Sequence, residues 1–159
     1  MKPNQIFAAM TPERCEEILA AISEESAETT KQVVASAAIA LKFRPQYLLK
    51  QSPAKRAASV RRALARIQSI QLAEELLAVY FLKCRLELLT EWLDLLGLEH
   101  EEGILVSDVI EAPEASELEK QVEKFRGAGN DGDRDLLLQT FSAQAAIDWP
   151  ALDALVEAA

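Results

Sequence analysis

The longest run of hydrophobic positions in the chain lies between Leu72 and Leu96, LAEELLAVYFLKCRLELLTEWLDLL. At about 100° per residue, Lys83, Glu87, Thr90, Glu91 and Asp94 share a polar band roughly 100° wide. Leucines, Val79, Tyr80, Phe81 and Trp92 fill most of the remaining circumference. A helix that is apolar over most of its surface is stable in water only when other helices cover it. The stretch therefore predicts a long central helix over about 72–96, closed by Gly97 in the left-handed conformation that ends many helices.

Shorter amphipathic stretches predict the elements around it. Thr11-Pro12 and Ser52-Pro53 each place a capping hydroxyl before a proline at the first helical position. Glu13, Glu16 and Glu17 favour the positive end of the helix that Thr11 opens. Residues 23–26 interrupt that helix. An alanine-rich helix follows over about 27–42, and its small side chains suit close helix packing. A break near 68–71 separates the helix opened by Ser52 from the central one, because the apolar face changes direction there. Residues 97–113 read as an irregular connection. Within it, Ile104–Ile110 has the composition of an extended segment, with no evident second strand to pair with. Ser116-Glu117-Leu118-Glu119 matches a capping box, and Asp148 is placed to cap a last helix containing Trp149, Leu152 and Val156. The expected fold class is all-α, a compact bundle of six or seven helices around 72–96. The expected organisation is an N-terminal arm over 1–10 and a single helical domain over 11–159.

Charge changes the picture more than composition does. The 159 residues include 26 acidic and 17 basic side chains, a formal net charge of −9, which argues against indiscriminate nucleic-acid binding over the whole surface. The charges are segregated. Thr29 to Ala73 contains no aspartate or glutamate, yet holds nine of the basic residues. On the helix opened by Ser52, Lys55, Arg62 and Arg66 project within about 40° of one another and span about 16 Å. Ala57, Val60, Leu64 and Ile67 occupy the opposite side, so the basic stripe is expected to face solvent.

Three readings apply to that stripe: a solvated face, a docking site for an acidic protein surface or a second copy of the chain, and a contact for nucleic acid or anionic lipid. The candidate partner-binding residues are Lys55, Arg56, Arg61, Arg62 and Arg66. Arg85 is a separate candidate. It projects from the apolar side of the predicted central helix and needs either a route to solvent or a partner, because an unpaired buried charge is costly. Glu74 is too far along the axis, so a carboxylate from another helix, or a bound anion, is the expected contact.

Catalytic and metal motifs contribute little. His100 is the one histidine and sits among glutamates in what reads as a solvated loop, without the partner spacing of a metal site. Asn130–Asp135 has the look of a calcium loop but carries Leu136 and Ser142 where that loop needs glycine and glutamate. No nucleophile elbow, P-loop or dinucleotide fingerprint occurs. No catalytic residue, metal or cofactor is assigned.

Cys15 and Cys84 lie in helical patterns and read as reduced packing residues of a cytoplasmic protein. No stretch has the length of a membrane span or the apolar core of a signal peptide. The functional expectation is a non-catalytic interaction, adaptor or regulatory protein. It would bind a protein partner through the basic helix face or an adjacent apolar groove. The alternative is a nucleic-acid-associated protein using the basic segment 42–66.

Overall fold

The predicted central helix is interrupted. In a computed structural model, which describes residues 1–129 and 132–158, α6 runs over Ile70–Val79, one π-helical turn follows over Tyr80–Cys84, and α7 occupies Leu86–Leu95. Between them Arg85 leaves helical geometry, with φ −134° and ψ 44°. The expectation of one helix over 72–96 is thus corrected, and with it the single polar band from Lys83 to Asp94. A π turn advances the chain at a different angle per residue, so positions before and after it no longer share a helical phase. The interruption coincides with a division of the chain into two compact units, Lys2–Cys84 and Arg85–Ala159 together with Met1.

The first unit contains α1 (Pro3–Ala9), α2 (Pro12–Glu25), α3 (Ala27–Ala40), α4 (Pro45–Leu49), α5 (Pro53–Leu64) and α6. Its helix starts follow local chemistry. The Thr11, Ser26 and Ser52 side chains accept from the amides of Arg14, Thr29 and Lys55. Residues 1–10 are not a bare arm: α1 buries Ile6 and Phe7 completely. The Ile18, Ile22, Val34, Val60, Leu64 and Leu77 side chains continue this core.

Helix α3 ends in a Schellman arrangement. The Lys42 amide donates to Ile39 and the Phe43 amide to Ala38, with Lys42 itself at φ 59°. Beyond Leu64 the α5 path stops, and a 3-10 turn over Ile67–Ser69 precedes α6. Ile67, expected on the apolar side of α5, falls outside the helix and is 66% exposed.

The second unit contains α7, α8 (Ala115–Gly127), α9 (Gly132–Ser142) and α10 (Pro150–Glu157), with a short hairpin before α8. Gly97 takes φ 70°, and the Leu98 amide donates to Leu93, closing α7 as its sequence position requires. Two expected starts shift: α8 begins at Ala115 after Glu114, and α10 begins at Pro150 after Trp149.

The hairpin overturns the expectation that Ile104–Ile110 lacks a pairing strand. β1 (His100–Glu101) pairs antiparallel with β2 (Ile104–Leu105), joined by Glu102 and Gly103 at φ 50° and 86°. Positive φ at both central residues is the condition for a tight turn that matches strand twist. The core of this unit is aromatic. Trp92 packs on Phe125 and Phe141 with ring centroids 5.2 and 5.9 Å apart, and Phe141 meets Trp149 at 5.4 Å. Ten α-helices and almost no sheet make the described residues an all-α fold.

Candidate functional site

The five basic residues singled out on α5 and just beyond it divide into two groups. Three of them close helix C-termini. Arg56 donates through Nε to the Leu48 carbonyl at 3.3 Å, and through Nη2 to Leu49 at 3.2 Å and Gln51 at 3.0 Å, covering the end of α4. Arg61 Nη1 reaches the Phe7 and Ala8 carbonyls at 3.2 and 3.3 Å, at the end of α1. Arg66 Nη1 reaches Ala40, the last residue of α3, at 2.7 Å. The last carbonyls of a helix have no partner within it and carry the negative end of its dipole, so a guanidinium satisfies both needs. These arginines therefore hold three helices of the first unit to α5. Arg56→Ala is expected to lower stability by about 2 kcal/mol, since bonds from charged donors outweigh neutral ones. Arg62→Ala should stay within about 0.5 kcal/mol of wild type. Urea titrations of the two variants provide the comparison.

Lys55 and Arg62 form the other group. Both are exposed, and among the described residues neither side chain makes a hydrogen bond or ion pair. Lys31, Lys42, Arg44 and Lys50 share this state. The Arg66–Ala40 bond brings the C-terminal ends of α3 and α5 together, which places Lys42, Arg44 and Arg62 at one end of the unit. Exposed hydrophobic side chains accompany them: Ile39 at 73%, Tyr47 at 56% and Ile67 at 66%, with Phe43 and Leu49 less open. The Phe43 and Tyr47 rings meet edge to face at 5.3 Å. These exposed apolar side chains are not legible in the sequence, where Ile67 falls on the expected apolar side of α5.

Arg85 is engaged within the second unit. Its Nη1 is bonded to the carboxylate of Asp133, which is 2% exposed on the first turn of α9, and its Nε donates to Glu87 at 2.9 Å. The calcium-like run begins at Asn130 and Asp131, which lie outside the described residues. Asp133 within that run is the Arg85 partner.

His100 is not a solvated loop residue. Its side chain is 14% exposed, Nε2 lies 2.7 Å from Asp94 Oδ1, and Nδ1 accepts the Gly103 amide at 3.2 Å. The amide donor assigns the ring proton to Nε2, which donates to Asp94. The ring thus ties the hairpin to the end of α7.

The thiols are not activated. Burial pushes Cys15 up to about 12, with Arg61 opposing the shift. Cys84 is also raised, by burial first and then by Glu25 and Glu24. A raised thiol holds little of the thiolate that a nucleophile needs. Shallow cavities of about 340 Å³ and 320 Å³ open in the first unit beside Glu16, Glu24 and Thr30, and beside Gln32, Glu75 and Val79. Among the described residues, no three His, Cys, Asp or Glu side chains are placed to hold a metal ion. Among them, too, no helix is long and apolar enough to cross a membrane.

Fold and surface together define the class: an all-α chain with a basic, partly aromatic face on its first unit. The chain matches no protein-family model, no curated protein and no solved structure.

Proposed function

We propose that this chain is a non-catalytic helical interaction module, an adaptor or regulatory protein, that holds an acidic and partly apolar protein segment. The docking face is the one built from the α3–α4 turn and the end of α5. One observation carries the reading. Five of the eight large hydrophobic side chains exposed in the described structure fall between Ile39 and Ile67, inside the stretch that has no acidic residue.

Exposed apolar area costs roughly 25 cal/mol per Å² relative to its burial. Cations around such a patch select the sign of what covers it. An acidic segment with apolar side chains meets both requirements. Lys42, Arg44 and Arg62 would supply the charge contacts, while Arg56, Arg61 and Arg66 keep the face in shape. The two free thiols support a reducing, cytoplasmic setting.

A second reading, contact with nucleic acid through residues 42–66, is favoured by the Phe43–Tyr47 pair, since aromatic faces beside cations stack on bases. One titration separates the two. A fluorescein-labelled peptide of alternating glutamate and leucine should bind the full chain saturably at low salt. The Lys42→Glu/Arg62→Glu variant should weaken that binding about tenfold or more. Absence of peptide binding to the monomeric chain at about 0.1 mM overturns the proposal. A labelled single-stranded oligonucleotide that binds in its place, with steep salt dependence, transfers the face to the nucleic-acid reading.

A further inference from the structure

We infer that the segment held by this face is residues 101–114 of a second copy of the same chain. The inference rests on the docking face proposed above and names its occupant. The second unit carries the chemical complement of that face. From Leu86 to Glu119 there is no lysine or arginine, and 11 acidic residues occur. The whole unit has five basic against 18 acidic residues, a net of −13, whereas the first unit has 12 against eight, a net of +4.

The exposed hydrophobic side chains follow the same division. Beyond the five on the basic face, the remaining three are Ile104 at 63%, Val106 at 58% and Val109 at 76%. All eight therefore lie either in the stretch without acids or in the stretch without bases. Glu101, Glu102, Asp108 and Glu111 stand among these three, and all four are exposed.

The acidic segment is also held in a presentable form. At one end the tight turn fixes β1 against β2. In the middle the Ser107 hydroxyl donates to the Val109 carbonyl at 2.8 Å and accepts its amide at 3.3 Å. At the other end the buried Trp149 ring donates through Nε1 to the Ile110 carbonyl at 3.2 Å. A segment anchored this way loses little freedom on docking. Two copies related by a two-fold axis would make the contact twice, each chain giving its segment and receiving its partner's.

Sedimentation velocity of the full chain tests this. At about 0.05 M salt the chain should sediment as a dimer, and at about 0.5 M salt it should dissociate, since screening removes attraction between exposed charges. Arg44→Glu/Arg62→Glu makes the face acidic, and Asp108→Lys/Glu111→Lys makes the segment basic. Each variant alone should sediment as a monomer while its circular dichroism remains that of the wild type. Mixed in equal amounts they should associate again, because each face then meets a segment of opposite sign.

A wild-type chain that stays monomeric at about 0.1 mM in low salt overturns the inference. So does a mixture of two folded variants that fails to associate. If the chain is monomeric yet still binds the glutamate–leucine peptide through Arg62, the docking face stands and its occupant is another protein. If it is monomeric and the peptide does not bind either, both readings fall.

Discussion

Trp92→Ala is expected to destabilise the second unit by about 4 kcal/mol, the range for removing a large aromatic side chain from a packed interior. Trp92 is completely buried and lies between Phe125 of α8 and Phe141 of α9. Alanine would therefore remove the one ring that both helices share with α7. The neighbours cannot close the gap cheaply, since Phe141 is also fixed against Trp149.

The nature of the loss can be separated from its size. The Trp92 indole Nε1 is buried without a hydrogen-bond partner among the described residues. Trp92→Phe thus keeps much of the ring while discarding an unsatisfied donor, and should cost under about 2 kcal/mol. Urea unfolding followed by far-ultraviolet circular dichroism gives both values. A loss near 1 kcal/mol for Trp92→Ala would mean that the aromatic cluster is not what holds α7, α8 and α9 together. The change should also reach the acidic segment. Trp149, at the far side of the cluster, anchors the Ile110 carbonyl, so faster amide exchange over Ile104–Ile110 is expected alongside the lost stability.

Sequence reading succeeds here where the signal is local and fails where it is tertiary. Thr11, Ser52 and Gly97 end or begin helices through atoms within a few residues of themselves, and each stands where its side chain or missing Cβ predicts. The break at Arg85 has no such signature. No glycine or proline marks it, and the partner Asp133 is 48 residues away.

The same holds for the basic residues. Arg66 shares the face of Arg62 in a helical projection, and for Arg56 and Arg61 the projection gives a direction but no partner. What distinguishes them is the position of carbonyls at the ends of α4, α1 and α3, up to 54 residues distant. The hairpin was legible in principle. Glu102-Gly103 supplies one residue that accepts positive φ freely, but strands of two residues are too short for alternation to show. Helix α1 was hidden by its length, since seven residues make too few turns for a periodic pattern.

Arg85→Met is expected to cost about 3 kcal/mol and Asp133→Ala about 2 kcal/mol, an asymmetry that follows from which group stays behind. Asp133 is 2% exposed, so loss of the guanidinium leaves a carboxylate in a site closed to water. Arg85 is 27% exposed on its side chain and keeps Glu87, so loss of Asp133 leaves a cation that water and a surface carboxylate still reach. The Glu87 contact itself adds little, because that glutamate is 70% exposed and solvent screens the pair. Removing both charges should then be milder than removing either alone. In Arg85→Met/Asp133→Leu the buried polar cost disappears and apolar contact replaces it, so the double variant should regain at least half of the Arg85→Met loss.

The cycle also tests why the chain leaves helical geometry at this residue. Arg85 precedes α7 with φ −134° and ψ 44°, and a non-helical backbone there aims its guanidinium at the first turn of α9. If the ion pair sets that path, the double variant has no reason to keep it. Leu82–Leu88 should then show amide protection characteristic of continuous helix. If protection stays as in the wild type while stability recovers, the ion pair does not set the break, and Asp133 only satisfies the arginine that the break exposes.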